Sequence, residues 1–434
     1  MMTLGSKNMA DGLPKGTITY NGHGQADNWS DAANWAGGVA PSGVSSIALM
    51  PVNATLNGTF TVGSLMVLGQ ETVTVNGTLN TLSPGFCSSF MVCNGALVNF
   101  ASSSALNTAG GFIVGINEAG AVVAHGAGSA HAMLNTLNGK MGENPGSLGS
   151  ITIDDAIWHD RGQMFVGVAG HGSLTVTNGG QISTGDAFII GDDSTGVGVV
   201  SLSGGSNVTV GAFAAVGGSG DGQNPKLPPG GGSGTLSVAS GSVFSAAYRI
   251  DVHAGSTITL AGGTVAVTDA YPGLQISAGG TLSGNGTVTI GGVSPSQFGV
   301  TDNGMIQASG GVLQINGALL GTGQVQIGAS STLSINGPSI GVGTIAFTGS
   351  NGTLALSKGI ADHAVLTGFA VGDTIFMAGV DNLSFNASTD VLTLSAGTHV
   401  VDNLQLAGSY ASNAFTLTHS GIGATIGLLP GAHF

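Results

Sequence analysis

The chain has 434 residues, and it carries few charges: Lys and Arg number 7, Asp and Glu number 21, and the formal net charge is −14. This acidic balance, with no basic run, argues against nucleic acid and anionic membrane surfaces as partners. No apolar run reaches the roughly 18 to 20 residues of a membrane-spanning helix. Glycine is abundant at 79 residues, yet 42% of the residues are hydrophobic, which favours a folded chain over a disordered one.

The first 51 residues are predicted to form an N-terminal cap segment. The first thirty contain no apolar core of a cleaved signal peptide, so we expect export by another route. Trp29 and Trp35 follow in the run WSDAANWAGGVAP. They predict either an aromatic cap over the first coil of a solenoid or a platform for stacking sugars. We prefer the cap, because large aromatic side chains usually serve packing.

Residues 52–358 are predicted to form a parallel β-helix, since the sequence repeats itself most clearly between residues 163 and 267. An apolar run ends at Gly167, Gly191 and Gly217, and each is followed by a Gly-rich corner, an alternating strand and a second corner. A fixed period of this size, with three strand-like pieces per repeat, is typical of a solenoid. Parallel connections are right-handed in nearly all cases, which predicts a right-handed coil.

The alternation within each repeat predicts which side chains point inward. Leu174 and Val176 alternate with Thr175 and Thr177. The same pattern recurs later in the pairs Val200/Leu202, Leu236/Val238 and Ile258/Leu260. A period of two indicates half-buried strands. The runs NGG at Asn178, SGG at Ser203, ASG at Ala239 and AGG at Ala261 predict corners with positive φ.

Two insertions and two cysteines interrupt this pattern. Residues 125–150 are expected to form a protruding loop with one helical turn around 130–137, and residues 217–234 a flap. Cys87 and Cys93 predict either a bridge between adjacent coil segments or two buried thiols. Residues 359–434 alternate in short strands and are predicted to form a small antiparallel module that caps the last coil.

The later coils resemble a known group of proteins. The runs GGTLSGNGTV at 279–288, DNGMIQASGGVL at 302–313 and GTGQVQIG at 321–328 are similar to the repeats of autotransporter passengers and haemagglutinin-type bacterial surface proteins. The resemblance implies an extracellular or cell-surface β-strand-repeat protein. The C-terminal membrane barrel of autotransporters is not visible in the last 70 residues or so, so we expect a different exporter, such as a type I system.

Candidate catalytic residues are sparse. Asp192, Asp193 and His171, together with the Arg-Ile-Asp run at 249–251, are similar to elements of polygalacturonases, but in a different order. Glycoside hydrolysis needs two carboxyl groups that flank a bond. Because Asp192 and Asp193 lie in a plain turn composition, GDDSTG, we prefer a structural corner and predict that the chain is not an enzyme.

The densest polar cluster is DDAIWHDRG, which contains Asp154, Asp155, His159 and Asp160. It predicts either a solvated loop, which we prefer, or a metal or sugar site. The run GGSGDGQNP at 217–225 is a single imperfect echo of calcium-binding repeats, and nothing encodes six oxygen ligands at one spot. We therefore predict no cofactor, with calcium as the alternative.

Two functions follow from these patterns. The first is a non-enzymatic extracellular structural or adhesive protein that assembles with copies of itself through the ends of the solenoid. The second is a β-helix that binds or cleaves polysaccharide. The sparse catalytic residues and the resemblance to surface proteins favour the first, with a polysaccharide or a cell surface as a further partner and without membrane insertion.

Overall fold

The computed structural model describes residues 16–24, 28–83, 89–218, 231–269, 272–292, 299–340, 343–357, 360–361, 364–421 and 423–431. The chain divides into two compact units, Met1–Leu236 and Ser237–Phe434. Within the described ranges the regular structure is strand throughout, apart from one 3-10 turn at Ala32–Asn34. No helix in this part of the chain is long and apolar enough to cross a membrane.

The strands of the first unit are mostly short. They are β1 Thr17–Thr19, β2 Gly43–Met50, β3 Ala54–Leu56, β4 Thr59–Leu68, β5 Thr72–Val75, β6 Thr78–Thr81, β7 Phe90–Cys93, β8 Ala96–Phe100, β9 Ala105–Thr108, β10 Phe112–Val114, β11 Ala119–Ala127, β12 Ala130–His131, β13 Met133–Thr136, β14 Gly139–Met141, β15 Leu148–Asp154, β16 Ile157–Asp160, β17 Met164–Val166, β18 His171–Thr177, β19 Gln181–Thr184, β20 Phe188–Ile190, β21 Val197–Leu202, β22 Asn207–Val210 and β23 Phe213–Val216.

Strand β24, Ser233–Ala239, spans the boundary between the units. The strands of the second unit are β25 Val243–Ala246, β26 Arg249–Val252, β27 Thr257–Val267, β28 Gly273–Ile276, β29 Thr281–Ile290, β30 Gly299–Asp302, β31 Met305–Asn316, β32 Ala318–Leu320, β33 Gln324–Ile327, β34 Thr332–Ile335, β35 Ser339–Ile340, β36 Thr344–Phe347, β37 Thr353–Leu356, β38 Ile360–Ala361, β39 Val365–Thr367, β40 Thr374–Ala378, β41 Asn382–Asn386, β42 Val391–Ala396, β43 His399–Ala407, β44 Phe415–Ser420 and β45 Gly423–Leu428.

The first unit is built from three parallel stacks. The first stack runs β5, β8, β11, β15, β18, β21. The second runs β6, β9, β13, β16, β19, β22, and the third runs β7, β10, β14, β17, β20, β23. Each coil contributes one strand to every stack, which confirms the predicted all-β fold of the parallel β-helix type.

The core of the first unit consists of ladders of apolar side chains, one per coil. Leu174 pairs with Val200 and Val176 with Leu202 in neighbouring strands, and all four are buried. Thr175, which lies between the two inward residues of β18, is only partly buried on the outer face. The predicted register is therefore confirmed. Burying such side chains stabilises the fold by roughly 1.5 to 3 kcal/mol each.

Glycine is required where the chain turns from the third stack into the first. Gly167, Gly191 and Gly217 have φ values of +78°, +75° and +88°, as their place at predicted corners requires. A Cβ at Gly172, just after the same corner, would overlap the backbone nitrogen of Gly167. The corner is thus too tight for any larger residue.

An asparagine ladder follows the outer face of the second stack. The Nδ2 of Asn135 donates to the Oδ1 of Asn107 at 2.9 Å, and the Nδ2 of Asn107 donates to the Oδ1 of Asn80 at 2.9 Å. The Nδ2 of Asn80 in turn donates to the Oγ1 of Thr61 at 3.2 Å. These bonds tie successive coils together outside the core, in addition to the strand hydrogen bonds.

The predicted helical turn around residues 130–137 is wrong. The chain there forms β12 and β13, and β12 pairs back on β11 as an antiparallel hairpin, with Gly126 opposite His131. Gly128 has a φ of +65°, which a tight hairpin loop needs. The residues of β13 alternate between buried and less buried, so the period of two outweighs the helical propensity of the segment.

In the second unit the strands continue through positions where corners were expected. The predicted corner at Ala261 lies inside β27, and the register shifts between Ala261 and Gly263 where β27 pairs with β29. A similar shift occurs between Gly284 and Gly286 where β29 pairs with β31. These bulges bend the strand without ending it.

At the start of the first unit an aromatic cluster packs on the unit's own strands. Trp29 and Trp35 are buried, with ring centroids 4.6 Å apart, and Trp29 lies 5.3 Å from the ring of Phe60 in β4. The Nε1 of Trp35 donates to the carbonyl of Trp29 at 2.7 Å. β1 pairs in parallel with β2, and β2 with β4, so parallel pairing begins within the predicted cap segment.

In the same unit, Cys93 is buried with Leu49, Met66 and Leu68. Burial, and secondarily the carboxylate of Glu118, raises the pKa of the Cys93 thiol to about 12. Cys87 lies outside the described residues, as do residues 219–230 of the predicted flap.

The second unit ends in antiparallel strands laid on its last parallel ones. Parallel pairing continues past residue 358, through β39 and β40. β41, β42 and β43 form a meander that joins β39, and the β44–β45 hairpin joins β40. Phe385, Tyr410 and Phe415 pack together, and the Tyr410 hydroxyl donates to the carbonyl of Phe369 at 3.0 Å.

Candidate functional site

The predicted polar cluster DDAIWHDRG does not converge on one point. Asp154 ends β15, and Asp155 occupies the following corner with a φ of +50°. In β16, His159 faces outward, where its Nδ1 lies 2.7 Å from the Oγ of Ser183, whereas Asp160 faces inward. The four candidate ligands therefore point in different directions.

Asp160 is a structural residue of the core, with only 3% of its surface exposed. One oxygen accepts from the Thr136 hydroxyl at 2.6 Å and from the Gly139 amide at 2.8 Å. The other accepts from the amides of Asn138 at 3.1 Å and Gly162 at 2.8 Å. Burial raises the pKa of Asp160, although these four hydrogen bonds oppose the rise. The carboxylate satisfies the backbone of a buried corner and is closed to a ligand.

Asp154 and Asp155 have histidine partners that the sequence did not reveal. The β11–β12 hairpin places the Nδ1 of His125 at 3.3 Å from the Oδ2 of Asp154, and the Nδ1 of His131 donates to the carbonyl of Asp155 at 2.6 Å. A hydrogen bond from Asn178, followed by smaller contributions from Thr177 and His125, lowers the pKa of Asp154. These contacts anchor the hairpin to the coil. Among the residues described, no group of three or more His, Cys, Asp or Glu side chains could hold a metal ion.

A groove of about 480 Å³ crosses the first stack at the start of its strands, and we refer to it as the groove. Its lining comes from five successive coils: Gly95, Ala96, Ala119, Gly120, Ala121, Leu148, Gly149, Ser150, His171, Gly172, Ser173, Val197 and Val199. The predicted catalytic candidate His171 belongs to it. No Asp, Glu, Lys or Arg lines it.

Small residues begin most of the strands that line the groove. Gly149 and Gly172 are buried at inward positions beneath it, where a Cβ would overlap backbone atoms of the adjoining corner at Gly142 or Gly167. Leu148 and Val199 stand on its walls with exposed fractions of 52% and 39%. The sequence repeats a central glycine at the strand starts 119–121, 148–150, 171–173 and 197–199. This repeat does not by itself predict a groove on the surface.

The aspartate pair lies in a different depression, of about 530 Å³, which we call the corner depression. It is lined by Glu143, Asn144, Pro145, Val168, Ala169, Asp193, Ser194 and Thr195. Asp193 is exposed. Glu143 forms an ion pair with Lys140, whose Nζ lies 3.0 Å from the Oε1 of Glu143. The amides of Asp192 and Asp193 donate to the carbonyls of Gly167 and Val168, as stacked corners do. His171 and Asp193 thus lie in separate depressions.

The Arg-Ile-Asp run of the second unit forms an ion pair along one strand. The Nε of Arg249 lies 2.6 Å from the Oδ2 of Asp251, on the outer side of β26. Burial raises the pKa of Asp251 to about 6, although Arg249 opposes the rise. Burial, and secondarily Arg249, lowers the pKa of His253. The next strand contributes Gln275, which pairs with Asp251 in register.

Comparison with known proteins adds no family to this description. No family model matches the chain, and no curated protein is similar to it. The structure shows a β-solenoid, and the resemblance to autotransporter passengers and haemagglutinin-type proteins remains a prediction from the repeat motifs.

Proposed function

We propose that this chain is a non-enzymatic structural or adhesive protein, displayed outside the cell, that presents the outer faces of its coils and associates with copies of itself. The observation that carries the proposal is the separation of the candidate catalytic residues. His171 lines a groove without carboxylates, Asp193 lies in the corner depression, and Asp160 is enclosed in the core.

The corner depression is the alternative place for cleavage of a polysaccharide, since it holds both Glu143 and Asp193. A glycosidase needs one carboxyl group kept as an acid and a second one facing it across the bond. Glu143 instead is in an ion pair with Lys140, and Asp193 is exposed at a corner. The depression therefore supports catalysis less well than a structural role.

Strand edges are covered at the start of the first unit and at the end of the second. This favours lateral association over the end-to-end contacts that the sequence predicts. The cluster around Trp29 and Trp35 packs on β4 of its own unit, and the antiparallel strands β41–β45 pack on β39 and β40 of theirs. Covered strand edges do not recruit further strands. The outer faces carry Ser, Thr and Asn with few charges, so like-charge repulsion between faces is small.

Two measurements on the intact protein test the proposal. Sedimentation velocity over a wide concentration range should show species larger than the monomer. Incubation with polygalacturonate, cellulose and chitin should release no reducing ends. A protein that stays monomeric at the highest concentration loses the assembly part of the proposal, and release of reducing ends by purified protein contradicts its non-enzymatic part.

A further inference from the structure

The turn that joins β41 to β42 carries a motif that neither proposed function uses. Asn386, Ala387 and Ser388 form the tripeptide Asn-x-Ser, in which x is not proline, and this is the acceptor motif of N-linked glycosylation. The four residues 386–389 are all exposed. An enzyme that attaches sugars can therefore reach Asn386 in the folded protein, as at a surface loop.

The tripeptide recurs along the chain, so the sequence alone does not select a site. The other copies begin at Asn28, Asn53, Asn57, Asn76, Asn207, Asn285, Asn351 and Asn382. In two of these the amide nitrogen is already bonded. The Nδ2 of Asn76 donates to the Oδ1 of Asn57 at 3.0 Å. The Nδ2 of Asn285 donates to the carbonyl of Gly310 at 2.7 Å. A sugar on either nitrogen competes with a contact between neighbouring coils.

At Asn386 the side chain is arranged differently. Its Oδ1 accepts both the amide of Ser388 at 3.0 Å and the hydroxyl of Ser388 at 2.7 Å. Because a backbone amide can only donate, the atom that it meets is the oxygen, which fixes the orientation of the carboxamide. The Nδ2 has no hydrogen-bond partner among the described residues, and the side chain is exposed. The nitrogen that would carry the sugar is therefore available to an enzyme.

The turn is held in this shape by its own backbone and by β43. The amide of Thr389 donates to the carbonyl of Asn386 at 3.2 Å. The Nε2 of Gln405 in β43 donates to the carbonyls of Thr389 at 3.1 Å and Asp390 at 3.3 Å. Asp390 closes the turn in the left-handed conformation, with a φ of +55°. The acceptor geometry thus exists before any enzyme binds.

We propose that Asn386 is a site of N-linked glycosylation, at which a transferase joins its Nδ2 to the anomeric carbon of a phosphate-activated sugar. The inference goes beyond the structural or adhesive function and does not depend on it. The donor is either a nucleotide sugar or an oligosaccharide on a lipid diphosphate. Both present the same chemistry to Asn386, which is an anomeric carbon bonded to a phosphate oxygen.

The hydrogen bonds of the turn assist this transfer. The bond between the anomeric carbon and the phosphate oxygen breaks, and the phosphate leaves with the electron pair. A bond forms between that carbon and Nδ2, which gives one proton to a basic group of the transferase. As the proton leaves, negative charge develops on the Oδ1 of Asn386. The amide and hydroxyl of Ser388 already donate to this oxygen and stabilise the charge.

The tripeptide that begins at Asn382 provides an internal control. It lies within β41, where Asn382 pairs with Ser395. In an extended strand the Cα atoms of Asn382 and Ser384 are about 7 Å apart, so the hydroxyl does not approach the carboxamide as it does in the turn. The Oδ1 of Asn382 accepts the amide of Leu383 at 2.9 Å. Asn382 and Asn386 are both exposed, so geometry and not access should separate them.

The test uses the full-length protein, purified in the folded state from the cells that produce it. Fragmentation mass spectrometry of a peptide that contains both asparagines should find sugar on Asn386 and none on Asn382. Ser388→Ala removes the hydroxyl and should lower the occupancy of Asn386 at least about tenfold. Ser388→Thr keeps a hydroxyl and should change the occupancy less than about twofold. Ser384→Ala, the matched control in β41, should also change it less than about twofold.

The substituted side chains are exposed, and circular dichroism should show the wild-type fold in every variant. Sugars added one at a time identify a nucleotide sugar as the donor, and an oligosaccharide transferred as one block identifies a lipid-linked donor. Either result supports the proposal. Absence of sugar on Asn386 overturns it, and so does sugar found on the hydroxyl of Ser388 or Thr389 instead.

Two further results would overturn the role of the turn. One is equal occupancy of Asn382 and Asn386, and the other is occupancy that Ser388→Ala leaves unchanged. None of these measurements depends on self-association or on cleavage of a polysaccharide. The glycosylation site and the proposed function can therefore fail independently.

Discussion

Two equivalent corners, one in each unit, are turned in different ways. In the first unit β18 ends at Thr177, and the chain turns through Asn178 and Gly179, with φ values of +54° and +84°, before β19 begins. In the second unit β27 passes through the equivalent corner as a bulge, with Gly262 at a φ of +85°. Both solutions need a left-handed residue, but only the second keeps the strand continuous.

The difference teaches how each type of corner satisfies its polar groups. At the turn in the first unit, the Nδ2 of Asn178 donates to the Oδ1 of Asp154 in the preceding coil at 2.6 Å. At the bulge in the second unit, the Nδ2 of Asn285 donates to the carbonyl of Gly310 in the following coil at 2.7 Å. Both corners are thus tied to a neighbouring coil by an asparagine amide, which meets a carboxylate at the turn and a backbone carbonyl at the bulge.

The two units also differ in how fully a buried aspartate is hydrogen-bonded. Asp160 in the first unit accepts four hydrogen bonds. Asp302 in the second unit is 2% exposed, and its Oδ1 accepts from the Gly304 amide at 2.9 Å, whereas its buried Oδ2 has no partner among the described residues. Burial raises the pKa of Asp302 to about 6. One carboxylate stabilises its corner, and the other is only half satisfied.

The largest effect is expected from a charge placed in either core. Leu202→Asp in the first unit and Leu282→Asp in the second should each cost about 3 to 5 kcal/mol of unfolding free energy, because each buries an unpaired carboxylate. Thr175→Asp, on the outer face, should cost less than about 0.5 kcal/mol. Urea unfolding monitored by circular dichroism measures the difference, and equal costs for Leu202→Asp and Thr175→Asp would show that the strand register is wrong by one residue.

A smaller effect separates the two buried aspartates at neutral pH. Asp160→Ala leaves a hydroxyl and three amides without their acceptor and should lower the unfolding free energy by roughly 3 kcal/mol. Asp302→Ala removes one hydrogen bond and a half-satisfied carboxylate, and its cost should be below about 1 kcal/mol. Urea unfolding of both variants at pH 7 provides the comparison. Similar losses would mean that the two corners are equivalent.

The second unit should contribute a pH dependence of its own. The folded-state pKa values of Asp302 and Asp251, about 6, lie above the ordinary value of 3.8, so the folded state binds protons more tightly. Their contribution to stability is complete below pH ~4 and is lost as pH rises through about 6, by about 3 kcal/mol for each group. Asp302→Asn should flatten the part of this slope that Asp302 causes. Unfolding measured at intervals from pH 4 to 7.5 tests it, and a wild-type slope that Asp302→Asn leaves unchanged argues against the assignment.

Alanine substitutions at the two corner glycines should differ in stability cost by a smaller margin. Gly179→Ala strains a left-handed residue by about 1 kcal/mol and meets no atom within 4 Å. Gly262→Ala adds a contact at 3.1 Å to the Cβ of Ser240 and should cost more. Thermal melts of the two variants rank them. A reversed order would show that the bulge relaxes more easily than the turn.

The smallest effect is expected from the asparagine ladder, which has no counterpart of the same length in the described hydrogen bonds of the second unit. Asn107→Ala removes the bonds to Asn80 and Asn135 on a partly exposed face and should cost about 0.5 to 1.5 kcal/mol. Asn336→Ala breaks a single bond to Asn316 in the second unit and serves as the matched control. A cost for Asn107→Ala no larger than that of the control would mean that the ladder does not act as a unit.

The alternation of apolar and polar residues makes much of the fold predictable, and what it fails to predict also has a physical reason. The inward positions Leu174, Val176, Val200 and Leu202 follow from alternation alone, because the side-chain period of a strand is fixed. The same rule, applied from Trp158, places Asp160 inside, but charged residues are so seldom buried that the sequence favours a solvated loop. The bulges and the hairpin partners of Asp154 and Asp155 depend on contacts between coils. A single sequence does not encode those contacts locally.

The coil-by-coil pairing of the strands has a consequence for how the chain reaches this structure. All-β proteins usually fold slowly because strand partners are distant in sequence and loop closure must precede the pairing. Here a strand such as β18 finds both partners, β15 and β21, in the adjacent coils. Contact order is therefore low for a sheet protein. Once one coil has formed, each unit can grow by adding the next, so that its folding rate should depend little on how many coils it contains.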